Sequence, residues 1–570
     1  MEDQERPHEE LDSTAMSAQV LSSNIILLDT DSRKKCTLSR KVIIIACVAA
    51  MVLSACVLTA VFVVKANGNA DVDGSGPQSR SRSRFGETTG TGNECDEYDD
   101  CLHMCDYMVD YDGTCTCPPG QTLQADQVSC YYDYNEVLHK SLLFYEAQRS
   151  GALPPNNRIP WRGDSALGDR GQNGEDLTGG YYDAGDHIKA GLPMAWSATV
   201  LAWGFIEFRD AYENAGEVEN MLDCLRWFTD YFIKCHTAEH ELYVHVGSVG
   251  ADHNYWGRPE NMTMARPAYK VDEHHPGSDV VGATAAAMAA ASIIFKDYDA
   301  DYAEILVEEA MSLYQFAINI CGRYSDSVPE AKLIYASRKW GDEVTWAAMW
   351  LYKATGEQQY LTDAIIRSNK MPKIKPYAFS WGDVTAGFRL LLLQETKNAG
   401  KYLPLITRRF LDNWTSGRGG ITYTPQGQAW RNDWGSLRYS TSTAFIALMA
   451  AHYGYDTEKY VKWAKGQVGI ALGDTSRSFV VGYGRNPPQH PHHRSSSCPD
   501  LQTPCDWPDF RAQAPNPHVL EGALVGGPDS KGYYADDRRD YIKNEVSLDY
   551  NAGFTSATAA LKHFELIGKL

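Results

Sequence analysis

Two carboxylates that could perform acid–base chemistry lie three residues apart, at Asp183 and Asp186, within the sequence GGYYDAGDH of residues 179–187. The Gly pair in front of them allows a sharp backbone turn, and a nearly continuous apolar stretch follows at residues 194–208. Acids at the entrance to a buried helix suit the activation of a water molecule or the binding of a metal. An isolated pair of this kind more often caps a helix, so the chemistry requires a partner elsewhere in the chain.

A third acid, Glu545, stands more than 350 residues later, in the sequence DYIKNEVSLDYNAGF of residues 540–554. The pattern predicts that the last helix of the chain begins here, with Glu545 at its N-terminus. The positive end of a helix favours the charged form of this carboxyl, whereas burial and neighbouring acids favour its protonated form. The sequence alone leaves open which of these effects on the pKa is larger.

The composition excludes one class of partner and favours another. The chain of 570 residues has 73 acidic and 53 basic side chains, a formal net charge of −20. Binding to a phosphate backbone needs an excess of Lys and Arg, so no nucleic-acid partner is expected. Tyr and Trp are abundant, at 33 and 14 residues. Aromatic faces beside acidic groups suit carbohydrate surfaces, although most rings in any protein belong to the core.

A segment rich in His and Arg covers residues 480–494, with the sequence VVGYGRNPPQHPHHR. Three histidines fall within four residues, but Pro491 and the adjacent His pair make it difficult for one zinc ion to bind all three. A rigid loop whose His and Arg side chains donate hydrogen bonds to sugar hydroxyls explains the Gly, Pro and Arg content better. Cys498 and Cys505 flank the end of this loop and are a candidate disulfide, whereas Cys224 and Cys235 lie too far apart along one helix to pair.

The N-terminal region indicates a membrane anchor. Residues 1–41 are polar and predict a disordered tail, and residues 42–64 form a run of 23 residues without a charge, about 34 Å long as a helix and able to cross a bilayer. Five basic residues precede the run, so the positive-inside rule predicts a cytoplasmic tail and an extracellular or luminal remainder, as in a single-pass type II protein. A cleaved signal peptide is the alternative, but its apolar region would be shorter and nearer residue 1.

Residues 65–94 are rich in Gly, Ser, Thr and Arg and predict a flexible stalk. Six cysteines follow within residues 95–130, a density that indicates disulfides, because so short a segment cannot bury a sufficient core. Zinc binding is less favoured, since paired C-x2-C units are missing. The C-x-C sequence followed by Pro-Pro-Gly resembles an EGF-like module. Of fifteen possible connectivities, that resemblance implies the pairs Cys95–Cys105, Cys101–Cys115 and Cys117–Cys130.

The EGF-like module is predicted to act as a spacer or to bind a protein partner rather than to perform chemistry. Two sequons, at Asn261 and Asn413, agree with a secretory location and are the candidate glycosylation sites.

From residue 134 to the end the apolar pattern is helical. The twelve predicted helices cover residues 134–149, 194–210, 217–235, 279–296, 301–322, 342–354, 357–368, 382–396, 399–413, 437–453, 456–473 and 545–564. Helices that are apolar all round alternate with amphipathic ones, as expected for an inner and an outer ring of helices. The predicted fold is therefore all-α, an (α/α)6 barrel. The three long links at 150–190, 236–278 and 475–544 are expected to build the functional site.

Three separated motifs resemble one family. The sequences at residues 181–187, 484–494 and 534–552 match the signatures of glycoside hydrolase family 9, the inverting β-1,4-glucanases, and the resemblance covers residues 134–570. It implies that Asp186 is the general base, that Asp183 is the second carboxylate holding the attacking water, and that Glu545 is the general acid. It also implies a set of substrate-binding residues: His253, Tyr335, Trp381, Trp434, Arg438, Tyr439, His492, Arg494, Asp536 and Tyr550.

One departure from the family concerns calcium. Relatives often have a calcium loop of the type SGYDDE, whereas residues 337–343 read SRKWGDE, one residue longer and with two cations. Asp342, Glu343 and Asp383 remain as candidate oxygen ligands. Two cations beside a divalent ion are repulsive, so weak or absent calcium binding is expected, and no cofactor is required by the chemistry.

The resemblance implies a membrane-anchored endo-β-1,4-glucanase that acts outside the cytoplasm on cellulose-like glucan, in the manner of a branch of the family that trims glucan during cellulose synthesis. Digestive use fits an anchored protein less well. The rival hypothesis is a catalytically silent glycan-binding or adhesion receptor. The complete set of three carboxylates disfavours this rival, because a binder has no need of an acid–base pair across a cleft.

Overall fold

The computed structural model describes residues 108–109, 115–117, 119–123, 130–371, 378–396 and 402–570. The predicted tail, membrane helix and stalk lie outside these residues, as do Cys95, Cys101 and Cys105. Within the described part, one helix is long and apolar enough to cross a membrane, Ser278–Phe295, and 94% of it is buried in the protein. It belongs to the core of the large domain.

Twelve long helices run through the described part of the chain, close to the predicted spans. They are α1 (Tyr134–Ala147), α2 (Gly191–Glu207), α3 (Val218–Cys235), α4 (Ser278–Phe295), α5 (Ala300–Asn319), α6 (Gly341–Thr355), α7 (Gln358–Lys370), α8 (Thr385–Glu395), α9 (Tyr402–Thr415), α10 (Ser436–His452), α11 (Thr457–Leu472) and α12 (Leu548–Leu566). Short helices lie at Arg209–Ala215, Val249–His253, Tyr324–Ser327, Pro329–Lys332, Arg494–Ser497, Trp507–Arg511 and Tyr541–Asn544, with a 3-10 turn at Pro259–Asn261.

The even-numbered helices form a closed inner ring. Helix α2 packs against α4, α4 against α6, and so on through α8, α10 and α12, and α12 packs back against α2. Each odd-numbered helix packs outside an inner neighbour: α1 on α12, α3 on α2, α5 on α4, α7 on α6, α9 on α8 and α11 on α10. This is the arrangement of an (α/α)6 barrel.

Composition explains which helices lie inside. Almost every residue of α4 is buried, including the run ATAAAMAAASII, whereas α3 and α7 bury only one face. Small residues also let the inner helices approach closely. A Cβ added to Gly553 of α12 would lie 2.6 Å from the Cα of Ser442 in α10, closer than van der Waals contact allows. A larger residue at this position would therefore push the two inner helices apart.

The structure adds small antiparallel sheets that the all-α prediction lacks. The strands are β1 (Met108–Val109), β2 (Cys115–Thr116), β3 (Gln121–Leu123), β4 (Cys130–Tyr132), β5 (Lys189–Ala190), β6 (His236–Ala238), β7 (Glu241–Val246), β8 (Ala268–Val271), β9 (Thr422–Tyr423) and β10 (Ala429–Trp430). Strand β7 is the centre of the largest sheet and pairs with β5, β6 and β8. Its sequence ELYVHV contains the β-branched and aromatic residues that fit a sheet. This sheet anchors the end of the Asp183–Asp186 segment through β5.

Two of the expected cysteine pairings are confirmed. Cys117 is bonded to Cys130, and Cys498 is bonded to Cys505. The helical pair Cys224 and Cys235 remains free, as expected. The first of these disulfides holds the hairpin of β3 and β4.

The hairpin of β3 and β4 packs on the large domain. The hydroxyl of Tyr132 donates to Asp474 Oδ1 at 2.6 Å, and the ammonium of Lys465 lies 4.3 Å from the ring centroid of Tyr131. The hydroxyl of Tyr483 donates to the Gly120 carbonyl. This end of the disulfide-rich segment therefore contacts the large domain directly.

Candidate active site

The segment that carries the two carboxylates is a tight turn closed by its own backbone. Gly179 and Gly180 both have positive φ, +94° and +70°, as the expected turn requires. The Asp183 amide donates to the Ile188 carbonyl at 2.9 Å, and the side-chain amide of Gln148 donates to the Ala184 carbonyl at 2.7 Å. These bonds hold the backbone of both acids in place.

Main-chain hydrogen bonds join the three motifs, although more than 350 residues separate the first from the last. The Leu548 amide donates to the Asp183 carbonyl at 2.9 Å, and the Arg494 amide donates to the Gly185 carbonyl at 3.0 Å. The His492 amide in turn donates to the Asn544 carbonyl at 2.8 Å. The fold thus brings the acid pair, the His/Arg loop and the Glu545 segment to one site.

Gly185 lies at the closest approach between two of these motifs. A Cβ at this position would lie 2.0 Å from the carbonyl oxygen of His492, so Gly185→Ala must displace one of the two segments. A misplacement of about 1 Å in an active site can cost about 10²-fold in rate. We expect Gly185→Ala to lose activity on that scale while circular dichroism shows a folded protein. Gly168→Ala is the control, because that exposed position has no atom within 4 Å of the added Cβ.

Asp183 is fully buried, which favours its protonated form. Its Oδ2 accepts a hydrogen bond from the Tyr335 hydroxyl, and its Oδ1 has no hydrogen-bond partner among the described residues. Burial raises the pKa of Asp183 well above its usual range, and the charge of Asp186 raises it further. Asp183 therefore keeps its proton to higher pH than Asp186 does.

Asp186 has the opposite character. Burial would raise its pKa, but the His253 ring, with Nε2 3.8 Å from Asp186 Oδ2, and the Arg494 charge outweigh burial and lower it. The same contact favours the charged form of His253, because Asp186 raises the His253 pKa against the effect of burial. Asp186 is thus a carboxylate at neutral pH and can accept a proton, as a general base must.

Asp252 is a further candidate residue of the site that the sequence motifs did not single out. Its Oδ1 accepts from the His187 amide at 3.1 Å, and its other oxygen accepts from the guanidinium of Arg494. It therefore holds the backbone next to Asp186 and the Arg494 side chain in one fixed arrangement. Its position immediately before His253 was the available signal.

Oxygen and nitrogen atoms of Asp186, Asp252 and His253 lie within 4.8 Å of one another, a spacing that could suit a metal ion. The Arg494 guanidinium already binds Asp252, and the raised pKa of His253 favours its positively charged form. Two cations at this position oppose a third, so these residues form a charge network around the base.

Glu545 does not lie at the N-terminus of the last helix, and that prediction was wrong. It follows the short helix Tyr541–Asn544 with extended backbone, and α12 begins three residues later at Leu548. Strand-like pairing with His492 and a bond from the Gly526 amide to the Glu545 carbonyl, at 2.9 Å, hold it outside the helix. The helix dipole consequently does not favour its charged form.

Burial decides the protonation of Glu545. It raises the pKa of this carboxyl to about 7, and Asp186 adds to the shift. The Trp434 indole N–H opposes it by donating to Glu545 Oε2 at 2.8 Å. Near neutral pH Glu545 can therefore donate a proton, while Asp186 can accept one. That difference is what inverting hydrolysis of a glycosidic bond requires.

The hydrogen bond from Trp434 gives a test of this assignment. It stabilises the charged form of Glu545, so Trp434→Phe should raise the Glu545 pKa and move the alkaline limb of the pH profile of kcat/KM to higher pH. The control is Tyr541→Phe, since the Tyr541 ring packs on Trp434 with centroids 5.3 Å apart and the substitution leaves that ring in place. An unchanged alkaline limb in Trp434→Phe would contradict the role of Glu545 as the acid.

Three of the predicted substrate-binding residues lie directly beside one of the three carboxylates: Tyr335 beside Asp183, His253 beside Asp186 and Trp434 beside Glu545. Trp434 is 40% exposed beside Glu545. The Arg438 guanidinium pairs with Asp549 at 3.0 Å, donates to the Tyr439 hydroxyl at 2.8 Å and lies 5.0 Å from the Tyr550 ring. Arg438 thus holds Asp549, Tyr439 and Tyr550 together as one contact group.

Four further predicted residues, Tyr335, Trp381, His492 and Asp536, have contacts of their own. The rings of Tyr335 and Trp381 meet edge to face with centroids 4.9 Å apart. His492 is neutral, because burial lowers its pKa to about 4, and its Nδ1 bonds the Arg538 carbonyl at 2.7 Å. The Asp536 carboxylate accepts from the backbone amides of Gln489 and His490 at 2.9 and 3.0 Å. Asp536 therefore holds the His/Arg loop, and its contact with substrate stays a prediction.

The predicted calcium ligands do not fit a calcium ion in this chain. The Lys339 ammonium pairs with Asp342, lies 2.8 Å from Asp383 Oδ1 and lies 3.0 Å from the Thr385 hydroxyl. Calcium would need the same oxygens at about 2.3–2.6 Å, with a fixed positive charge beside it. Of the two cations in the altered loop, Arg338 is exposed. No step of the chemistry is assigned to a metal.

Comparison with known proteins agrees with the geometry. The protein-family model described as "Glycosyl hydrolase family 9" matches residues 134–558. Endoglucanase A of Bacillus pumilus is 48% identical over 455 residues, which cover 77% of this chain and 67% of that protein. Endoglucanase 15 of Arabidopsis thaliana is 39% identical over 468 residues, 76% of this chain and 94% of that protein.

Solved structures show the same similarity. The endoglucanase of the termite Nasutitermes takasagoensis, determined at pH 2.5, superposes with a TM-score of 0.74 at 48% identity, covering 76% of this chain and 99% of that one. The cellulase Cel9M of C. cellulolyticum, solved with cellobiose, has a TM-score of 0.70 at 34% identity, with coverage of 76% and 99%. With the acid pair, the His/Arg loop and Glu545 assembled within the matched residues, this chain belongs to glycosyl hydrolase family 9.

Proposed function

We propose that this protein is an endo-β-1,4-glucanase that hydrolyses internal bonds of cellulose-like glucans with inversion of configuration. The proposal rests on one observation: two carboxyl groups of the same site have pKa values that are shifted in opposite directions. The Asp186 pKa lies below its usual range, whereas the Glu545 pKa is raised to about 7. Relatives named endoglucanases, at 39–48% identity, support the substrate class. So does the related cellulase solved with cellobiose.

The residues of the site supply each part of the reaction. Asp186 removes a proton from water, and neutral Asp183, held by Tyr335, helps to position that water. Glu545 protonates the leaving oxygen from the opposite face of the sugar. His253 and Arg494 keep Asp186 charged until it accepts the proton. An inverting enzyme needs roughly 6.5–9.5 Å between the base and acid carboxyl groups to admit the water, and this spacing is our expectation for Asp186 and Glu545.

The test uses purified protein with cello-oligosaccharides and, in parallel, β-1,3-glucans of similar length. We expect cleavage of the β-1,4-linked series alone, with the α-anomer as the first product in proton NMR before mutarotation. An initial β-anomer would show retention and would contradict the roles given to Asp186 and Glu545. Binding of both series without cleavage would support the rival, a catalytically silent glycan receptor.

The proposal extends to location. We place the large domain outside the cytoplasm, on a single type II membrane helix at residues 42–64, on the basis of the charge asymmetry around that segment. In this position the enzyme would act on glucan close to the membrane, as in trimming during cellulose synthesis. The EGF-like segment would offer a surface for a protein partner.

Glycosylation tests this location, and the structure distinguishes the two sequons. Asn261 is exposed in a 3-10 turn, whereas Asn413 is half-buried near the end of α9. We expect glycan mainly at Asn261, so Asn261→Gln should remove most of the mobility shift caused by peptide N-glycosidase F, and Asn413→Gln should remove little. Inside-out microsomes expose the luminal face of the membrane, so protease should cleave the large domain in them. A large domain that stays intact there, in a protein without glycan at either site, would contradict the topology.

A further inference from the structure

The loop before α6 places a positive charge among buried acids. Asp342, Glu343 and Asp383, here called the acid cluster, are all less than a tenth exposed. Burying several carboxylates together costs a large free energy unless a cation compensates them. Asp342 Oδ1 and Glu343 Oε2 have no hydrogen-bond partner among the described residues, and both are buried. The acid cluster is thus built around positive charge.

Lys339 supplies that charge. Its ammonium pairs with Asp342, with Asp383 at 2.8 Å and with the Thr385 hydroxyl at 3.0 Å. An ammonium has three N–H donors, so all three are used. The Ser337 hydroxyl also donates to the Lys339 carbonyl at 2.7 Å, which holds the backbone of this residue in place.

The contact joins two segments that reach the active site. Tyr335, four residues before Lys339, donates to the catalytic-site residue Asp183. Trp381, two residues before Asp383, packs edge to face on Tyr335 with centroids 4.9 Å apart. The Lys339–Asp383 ion pair therefore connects the same two segments that the Tyr335–Trp381 ring contact connects. Without this ion pair, the Tyr335 hydroxyl would be held less firmly against Asp183.

We propose that the Lys339 ammonium is the permanent cation of the acid cluster, in place of a divalent metal ion, and that it positions Tyr335 against Asp183. Lys339 acts through other residues and is a positioning residue rather than a catalytic one. It follows that this enzyme needs no calcium for stability or turnover. It also follows that removing the ammonium frees a set of carboxylate oxygens suited to calcium.

The experiment compares the full chain, purified in mild detergent, with Lys339→Met and the control Arg338→Met. Arg338 is the adjacent cation and is exposed, so the control removes the same charge outside the acid cluster. The melting temperature and kcat on cello-oligosaccharides are measured in excess EDTA, in millimolar CaCl2 and in millimolar MgCl2. Only the kcat measurement rests on the proposed glucanase function; the melting temperature does not.

We expect the wild type and Arg338→Met to give the same values in EDTA and in CaCl2. In EDTA, Lys339→Met should melt lower by on the order of 5 °C or more, and its kcat should fall by up to about 10²-fold. CaCl2 should restore both quantities, and MgCl2 should restore them less, because Mg²⁺ demands a stricter octahedral geometry. Calcium rescue distinguishes a replaced cation from a general loss of packing.

A wild type whose melting temperature rises with CaCl2 would overturn the proposal, as would Lys339→Met with unchanged stability in EDTA. Should Lys339→Met not fold, the double variant Lys339→Met/Asp383→Asn decides the question. Removing one acid together with its counter-cation leaves less uncompensated charge, so the double variant should fold better than the single one. A double variant that is no better would also overturn the proposal.

Discussion

Asp186→Asn is expected to lower kcat on cello-oligosaccharides by about 10²–10⁴-fold, the range for loss of general acid–base assistance. Asparagine keeps the shape of the side chain but cannot accept the proton of the attacking water. KM should change little, because Asp186 makes no direct contribution to binding in this assignment beyond holding the water. Product release from cellotetraose, followed by chromatography, gives kcat and KM together.

Two further measurements separate chemistry from misfolding in Asp186→Asn. Azide is an anionic nucleophile that needs no general base, so it should restore part of the turnover. Asp183→Asn should be impaired less, because the raised pKa of Asp183 favours its neutral form and an amide oxygen can still accept from Tyr335. Asp301→Asn, at an exposed position of α5, is the control. If Asp183→Asn were the more damaged variant, the assignment of base and helper would have to be exchanged.

Glu545→Gln should also lower kcat on cello-oligosaccharides by about 10²–10⁴-fold, nearer the larger value, because a sugar alkoxide is a poor leaving group without protonation. The amide of Gln has the size of the carboxyl and can accept from the Trp434 indole, but it cannot donate the required proton. The alkaline limb of kcat/KM, which in the wild type should fall above about pH 7 as Glu545 loses its proton, should disappear from the residual activity.

The leaving group provides the sharpest control for Glu545→Gln. Dinitrophenyl β-cellobioside releases a phenolate that needs no proton, so its cleavage should be largely preserved in this variant and largely lost in Asp186→Asn. Glu458→Gln, on the exposed face of α11, should behave as the wild type on both substrates. Near-normal turnover of cello-oligosaccharides by Glu545→Gln would assign the acid to another group.

Local patterns were sufficient to predict much of this protein. The apolar periodicity located the twelve helices to within a few residues, because a helix that buries one face has an apolar residue at every third or fourth position. Alternation of all-round apolar and amphipathic helices predicted the double ring. The position of Cys498 and Cys505 at the end of the His/Arg loop made them a candidate disulfide, which is confirmed. The resemblance of three motifs to one family implied which carboxylates meet.

Only the tertiary structure decided what each carboxylate does. Asp183 and Asp186 are the same residue type three positions apart, yet one pKa is raised and the other lowered. Burial and the charge of Asp186 raise the Asp183 pKa, whereas His253 and Arg494 lie close enough to Asp186 to lower its pKa against the effect of burial. Those partners come from distant links of the barrel, and no local pattern records their distances or their burial.

Contacts between distant parts of the chain also explain where the predictions from the sequence were wrong or incomplete. Glu545 lies outside α12 because pairing with the His492 segment competes with the helix that its own neighbours favour. Asp252 was missed because its role depends on Arg494, 242 residues later. The sequence determined that two cations stand in the altered loop at Arg338 and Lys339. Only the folded chain shows that Lys339 reaches the buried acids and that Arg338 faces solvent. A positive charge can be buried only where nearby acids compensate the cost of its desolvation.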